Sequence, residues 1–170
     1  MDLTSDGAYS VSETTERLVA NLDEPLTITG YFSEKTHPLL APLVPRIKNL
    51  LEEYQVIGGS NLVTDFVDPN RDEELEQEIN EQFGIKSVPF RVASRHEKSV
   101  VNSYFHLLIR YGDEYQTLSF DDLIEVYADS TEVQVRLKNL EYDITRAIKK
   151  VTQGFQSLEA MMSRLGKDAT

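Results

Sequence analysis

The side chains that could do chemistry are few and lie far apart. His37, His96 and His106 are the three histidines of the chain, in three separate segments, and no H-x-x-x-H or H-E-x-x-H spacing makes two of them converge on a metal. His106 sits among aromatic residues and leucines and reads as a partly exposed strand histidine. There is no cysteine, which excludes thiol nucleophiles, C-x-x-C redox chemistry and thiolate-bound zinc or iron–sulfur centres. No G-x-S-x-G elbow strains and exposes a nucleophile, and no G-x-x-x-x-G-K-[ST] or G-x-G-x-x-G loop cradles a phosphate. Asp68-Pro69-Asn70-Arg71-Asp72 opens like a calcium loop, but Glu73 stands where that loop needs its turn glycine and Ile79 where it needs a bidentate glutamate. The simpler reading is that Asp68 or Asp72 caps the helix that follows. No metal site, no cofactor and no catalytic residue are expected.

Charge narrows the partners. Seventeen basic against twenty-nine acidic residues leave a net charge of −12, which repels nucleic-acid backbones and anionic lipid headgroups. No apolar run approaches the roughly eighteen residues needed to cross a bilayer, so membrane attachment would have to come from segments outside this chain. At 170 residues, 40% of them hydrophobic, the chain can build one domain without metals or disulfides.

Periodicity supplies the elements. Ser10 and Glu13 have capping-box spacing ahead of a short helix whose Leu18, Val19 and Leu22 share a face. Leu26 to Phe32 alternates as a strand, and Pro38, Pro42 and Pro45 break the first turn of a helix. That helix carries Val44, Ile47, Leu50, Leu51 and Tyr54 on one face and stops at Gly58-Gly59. A strand over Leu62 to Val67 and a helix with Leu75, Ile79 and Phe83 at four-residue steps follow, with Gly84 as its stop. Val88 to Ala93 reads as a strand, and Tyr104 to Tyr111 with Tyr115 to Phe120 reads as a hairpin around Gly112 to Glu114. From Leu137 through Leu140, Ile144, Ile148, Val151, Phe155, Leu158, Met162 and Leu165 the apolar steps are three or four, predicting one helix from near Arg136 to Leu165. Such a helix is roughly 45 Å long at 1.5 Å per residue, so its far end is expected to project. If that stripe is left uncovered, Phe155, Leu158, Met161, Met162 and Leu165 are expected to support a homodimer.

The expected units are an arm and helix over 1–24, an α/β core over 25–130, and the long helix over 131–170 as part of the same domain. The order strand, helix, strand, helix, hairpin, helix resembles the thioredoxin fold, a βαβαββα sandwich, here with an N-terminal arm and a long C-terminal helix. Locally, His37-Pro38-Leu39-Leu40-Ala41-Pro42 resembles the opening of the first thioredoxin helix. Phe83-Gly84-Ile85-Lys86-Ser87-Val88-Pro89 resembles the loop that carries that family's cis-proline, which would make Pro89 the proline in question. Where a thioredoxin places its cysteines this chain has Glu34-Lys35-Thr36-His37, so the redox reaction is missing. Glu34, Lys35, Thr36, His37 and Pro89 form the candidate ligand-binding set, set against the plainer reading of a solvated loop.

The chain as a whole resembles the extracytoplasmic domain of the gliding-motility-type ABC-transporter auxiliary family. The likeness rests on Asp2-Leu3-Thr4 with Tyr9-Ser10-Val11-Ser12, on Leu22-Asp23-Glu24-Pro25-Leu26-Thr27-Ile28, on Leu50-Leu51-Glu52-Glu53-Tyr54 with Phe66-Val67-Asp68-Pro69, and on Leu140 to Thr152. It implies a non-catalytic accessory piece of a membrane protein on the periplasmic side of a bacterial inner membrane, working with a separate ABC ATPase and a permease. Two other classes stay open: a free-standing, redox-inactive thioredoxin-like peptide binder or chaperone, and a hydrolase or carbohydrate site of Asp, Glu and Tyr that spacing does not reveal.

Overall fold

The computed structural model describes residues 11–93, 98–128 and 132–168. The chain opens with α1 (Glu13–Ala20), capped by Ser12, whose hydroxyl accepts from the Thr15 N–H at 3.3 Å. Ser10, the expected cap, lies outside the described residues. Next come β1 (Leu26–Phe32), α2 (Leu43–Gly58), β2 (Leu62–Val67) and α3 (Glu73–Phe83). Asp72 caps α3 by accepting from the Glu74 and Leu75 N–H groups, and Gly84 ends it in the left-handed conformation at φ 70°.

A two-stranded ribbon, β3 (Val88–Ala93) with β4 (Lys98–Ser103), is inserted before β5 (Phe105–Tyr111) and β6 (Glu114–Leu118). A single turn, α4 (Phe120–Leu123), leads to a second ribbon, β7 (Ile124–Ala128) with β8 (Val133–Leu137), and then to α5 (Leu140–Asp168). The long helix therefore starts at Leu140 and not near Arg136. Val133, Val135 and Leu137 alternate with polar residues, the period of a strand, and Arg136 pairs across the ribbon with Glu125.

The main sheet has the order β2-β1-β5-β6, with β1 and β2 parallel and β5 antiparallel to both β1 and β6. It is a mixed sheet in an α/β protein with a long C-terminal helix. Alternation along the strands sorts the core onto two faces. Leu26 and Ile28 of β1 and Leu107, Ile109 and Tyr111 of β5 face α2 and α5, where Ile47, Leu51, Ile144 and Ile148 meet them fully buried. At about 1.5–3 kcal/mol for each fully buried aliphatic side chain, this face carries most of the packing. Tyr31 and Leu108 point the other way, into a smaller cluster with Ile79 and Ile85 under α3. The turn after α1 is fixed by the Tyr111 hydroxyl, which accepts from the Glu24 N–H at 2.9 Å and the Asp23 N–H at 3.2 Å.

His106 is buried, not partly exposed: it is 6% accessible on β5, directly opposite Tyr31. Burial pushes its pKa down to about 4, with Asp122 pulling weakly the other way. Phe155 is likewise engaged, its ring edge-on to Tyr111 at 5.1 Å and lying over Gly112 in the β5–β6 turn. Beyond it, Leu158, Met161, Met162 and Leu165 are 40–63% exposed, so the end of α5 does project from the sheet. No described helix is long and apolar enough to cross a membrane.

Candidate functional site

Parallel β1 and β2 end side by side, so the loops that leave them are forced together at one edge of the sheet, where α/β proteins commonly bind ligands. The first loop is Ser33 to His37 and the second is Asp68 to Asp72. They are tied by a chain of hydrogen bonds. The Asp68 carboxylate accepts from the Glu34 N–H at 3.0 Å and from the Asn70 N–H at 2.9 Å. The Ser33 hydroxyl donates to Asn70 Oδ1 at 2.5 Å and accepts from the Tyr104 N–H at 2.8 Å. Arg71 closes the clasp with an ion pair to Glu34.

Between the loops lies a groove of about 300 Å³. Phe32 and Phe66 form its floor, stacked at 6.3 Å with 25° between their planes. Gly30 makes that stacking possible: a Cβ there would sit 2.5 Å from the Phe32 ring and 2.7 Å from the Phe66 ring. Ala41, just ahead of α2, and Val44 in its first turn form a wall. Lys48, one turn further along α2, holds its ammonium 5.0 Å from the Phe66 ring centroid.

The expected site residues divide. Glu34 and Thr36 line the groove and Lys35 is exposed beside it. Thr36 also donates to the Ser103 hydroxyl at 2.9 Å, anchoring the loop to the β3–β4 ribbon. His37 is no solvated loop residue. It is 4% exposed, its Nδ1 accepts from the Leu39 N–H at 3.0 Å, and its ring meets Phe90 edge-on at 5.0 Å, which pins the turn into α2. Pro89 does not join the groove. Its peptide bond is trans, and it lies exposed in β3 opposite Asn102. A two-stranded ribbon leaves each strand one free edge, where a proline costs no ladder hydrogen bond. Lys48, Phe66 and Arg71 complete the groove and were not read from the sequence; the signal was available in the parallel pairing of the two strands, not in any spacing along the chain.

A second polar cluster joins the two ends of the domain. The Glu141 carboxylate accepts from the Ser12 N–H at 2.9 Å and from the Thr15 hydroxyl at 2.7 Å. Thr15 has one proton, and it goes to the carboxylate. Thr145, 2.8 Å from Thr15, must therefore donate to it, and Tyr54, 2.8 Å from Thr145, must donate in turn. All three hydroxyls run their protons toward Glu141. Burial raises the Tyr54 pKa; at Glu141 burial opposes ionisation, but the Ser12 and Thr15 donors prevail and hold the carboxyl below its usual value. An open cavity of about 520 Å³ lies over this cluster, between α1 and the first turns of α5.

Among the described residues, no three His, Asp or Glu side chains gather into a cation site. The family model of a domain of unknown function, DUF7088, matches residues 5–110. The chain belongs to this family. No curated protein and no solved structure matches it. The DUF7088 match runs from ahead of α1 into β5, so it takes in both loops of the groove, its aromatic floor and Lys48, and ends before β6 and α5.

Proposed function

We propose that this domain is a non-catalytic interaction module, the extracytoplasmic part of an auxiliary subunit of an ABC-type transport complex of the gliding-motility kind. Its partners in that reading are the ATPase and permease of the same complex, and it reaches the membrane through segments outside this chain. The placement in the cell envelope rests on the sequence resemblance. The observation that carries the interaction role is the groove: its floor is apolar, while Glu34 and Asp68, the carboxylates that could act as acid or base, are engaged by Arg71 and by backbone N–H groups. Such a site holds a segment of chain and offers it no activated group. Both histidines described lie buried outside it.

The test is recovery of the complex. The full-length membrane protein, tagged and extracted in detergent, is expected to bring down an ATPase and a permease. Ala41→Arg, an exposed change in the groove wall, is expected to reduce that recovery. Turnover of a defined substrate by the domain, or no transporter subunit in the pull-down, would overturn the proposal.

A second reading has its own support. The strand order β2-β1-β5-β6, with α2 and α5 on one face and α3 on the other, supports reading the main sheet as a thioredoxin-like core to which two ribbons are added. It favours a free-standing, redox-inactive peptide binder using the same groove. Peptide binding by the domain with no transporter partner in the cell would decide for it.

A further inference from the structure

The balance of charge in the groove points to the chemistry of what it holds. Glu34 is paired with Arg71, and both oxygens of Asp68 accept backbone N–H groups. Lys48 has no carboxylate within ion-pair distance among the described residues, and its ammonium lies over the Phe66 ring. Of the two cations that line the groove, Arg71 is taken up by Glu34, which leaves Lys48, beside the Phe66 ring, as the one whose charge is available to a ligand. The neighbouring ring also excludes part of the water that would screen it. The groove, at about 300 Å³, is at the small end of ligand sites, room for a short stretch of extended chain and not for a folded surface.

Resting on the interaction role proposed above, we infer that the groove selects a peptide segment in which a bulky apolar side chain, seated on Phe32 and Phe66, adjoins an Asp or Glu that pairs with Lys48. The apolar contact supplies most of the affinity, and the carboxylate supplies the selectivity and register. An exposed or half-covered ion pair at the upper end of its usual range corresponds to about fivefold in affinity.

A randomised nonapeptide display library, selected on the domain at low and high salt, tests this. Selection is expected to enrich apolar residues beside Asp or Glu, and resynthesised peptides are expected to weaken about fivefold on Asp→Asn exchange, less so at high salt. Lys48→Glu, an exposed change checked by thermal melting, is expected to reverse the preference toward Lys or Arg. Enrichment with no acidic bias, or a bias that Lys48→Glu leaves in place, overturns this inference alone. No enrichment of any sequence overturns the docking role of the groove with it.

Discussion

The Glu141 cluster and the Glu34–Arg71 clasp are both hydrogen-bonded networks built around a carboxylate, and they differ in what surrounds them. Around Glu141 the residues Tyr54, Thr15 and Thr145 are between 0% and 8% exposed, so their hydroxyls draw their partners mainly from the protein. They connect residues about 130 positions apart and fasten α1 to the start of α5. Glu34 and Arg71 are 62% and 68% exposed, and water replaces whatever either loses. The first network carries stability because its alternatives are poor. The second shapes a groove and contributes little to holding the fold.

Acidification is the broadest way to stress that contrast, and His106 sets its scale. Its pKa falls from 6.5 to about 4 in the folded protein, so the unfolded chain takes up a proton first. Stability is whole above pH 6.5 and drops as the pH falls toward 4, by up to an order of 3 kcal/mol. Urea midpoints measured across that range are expected to fall in the wild type and to stay nearly level in His106→Gln. With His106 removed, the remaining acid loss belongs to groups such as Glu141. Its carboxyl is held below the ordinary 4.5, so its contribution is present above that pH and disappears as the pH falls through the lower, folded value. A His106→Gln protein that still loses stability between pH 6.5 and 5 would refute this assignment.

Thr15→Val targets the first network directly. It keeps the shape, removes one donor from Glu141, and leaves Thr145 to turn its proton back toward Tyr54, which still reaches the Glu141 carbonyl at 3.2 Å. The cost expected from thermal or denaturant unfolding is about 2 kcal/mol. Tyr54→Phe, which strands no donor, is expected to cost less. Equal costs would mean that the protons do not run in the single direction drawn here.

In the groove, the comparable structural blow falls on its floor and not on its ion pair. Gly30→Ala drives a methyl against Phe32 and Phe66, and an overpacked site of this kind costs about 1–2 kcal/mol. Peptide binding is expected to suffer more than stability, because the two rings must part. An unchanged melting curve together with unchanged binding would show that the floor is not built on Gly30.

How much of this was legible depended on whether the determining contact was local. β1, α2, β2 and α3 followed from periods of two and 3.6, and Asp72 and Gly84 from cap chemistry, all within a few residues. The helix is predicted as far back as Arg136 because Leu137 and Leu140 stand three apart, which continues the helical rhythm of α5 backward into the end of β8. β4 was passed over because Lys98 to Ser103 has only two apolar residues and is a strand through its pairing with β3. Glu34 and Thr36 are candidates from the sequence because their loop resembles the stretch where a thioredoxin carries its cysteines. Lys48, Phe66 and Arg71 come from three further elements and meet only because β1 and β2 run parallel, a fact of register that no local pattern contains. The burial of His37 and His106 is hidden for the same reason: Phe90 of β3 packs on the first, and the second lies opposite Tyr31 of β1.

The smallest expected effect separates the two networks most cleanly. Arg71→Ala removes the clasp's ion pair but leaves Asp68 with both backbone donors and Ser33 with Asn70 and Tyr104. Both charged groups are freely hydrated once parted, so the melting temperature is expected to stay where it was at low and at high salt. Glu34, released from Arg71, becomes a mobile negative charge beside Lys48. Acidic peptides are therefore expected to bind more weakly to Arg71→Ala, while apolar peptides without a carboxylate bind as before. A loss of stability comparable to that of Thr15→Val would put the clasp in the same class as the Glu141 network and erase the distinction between them.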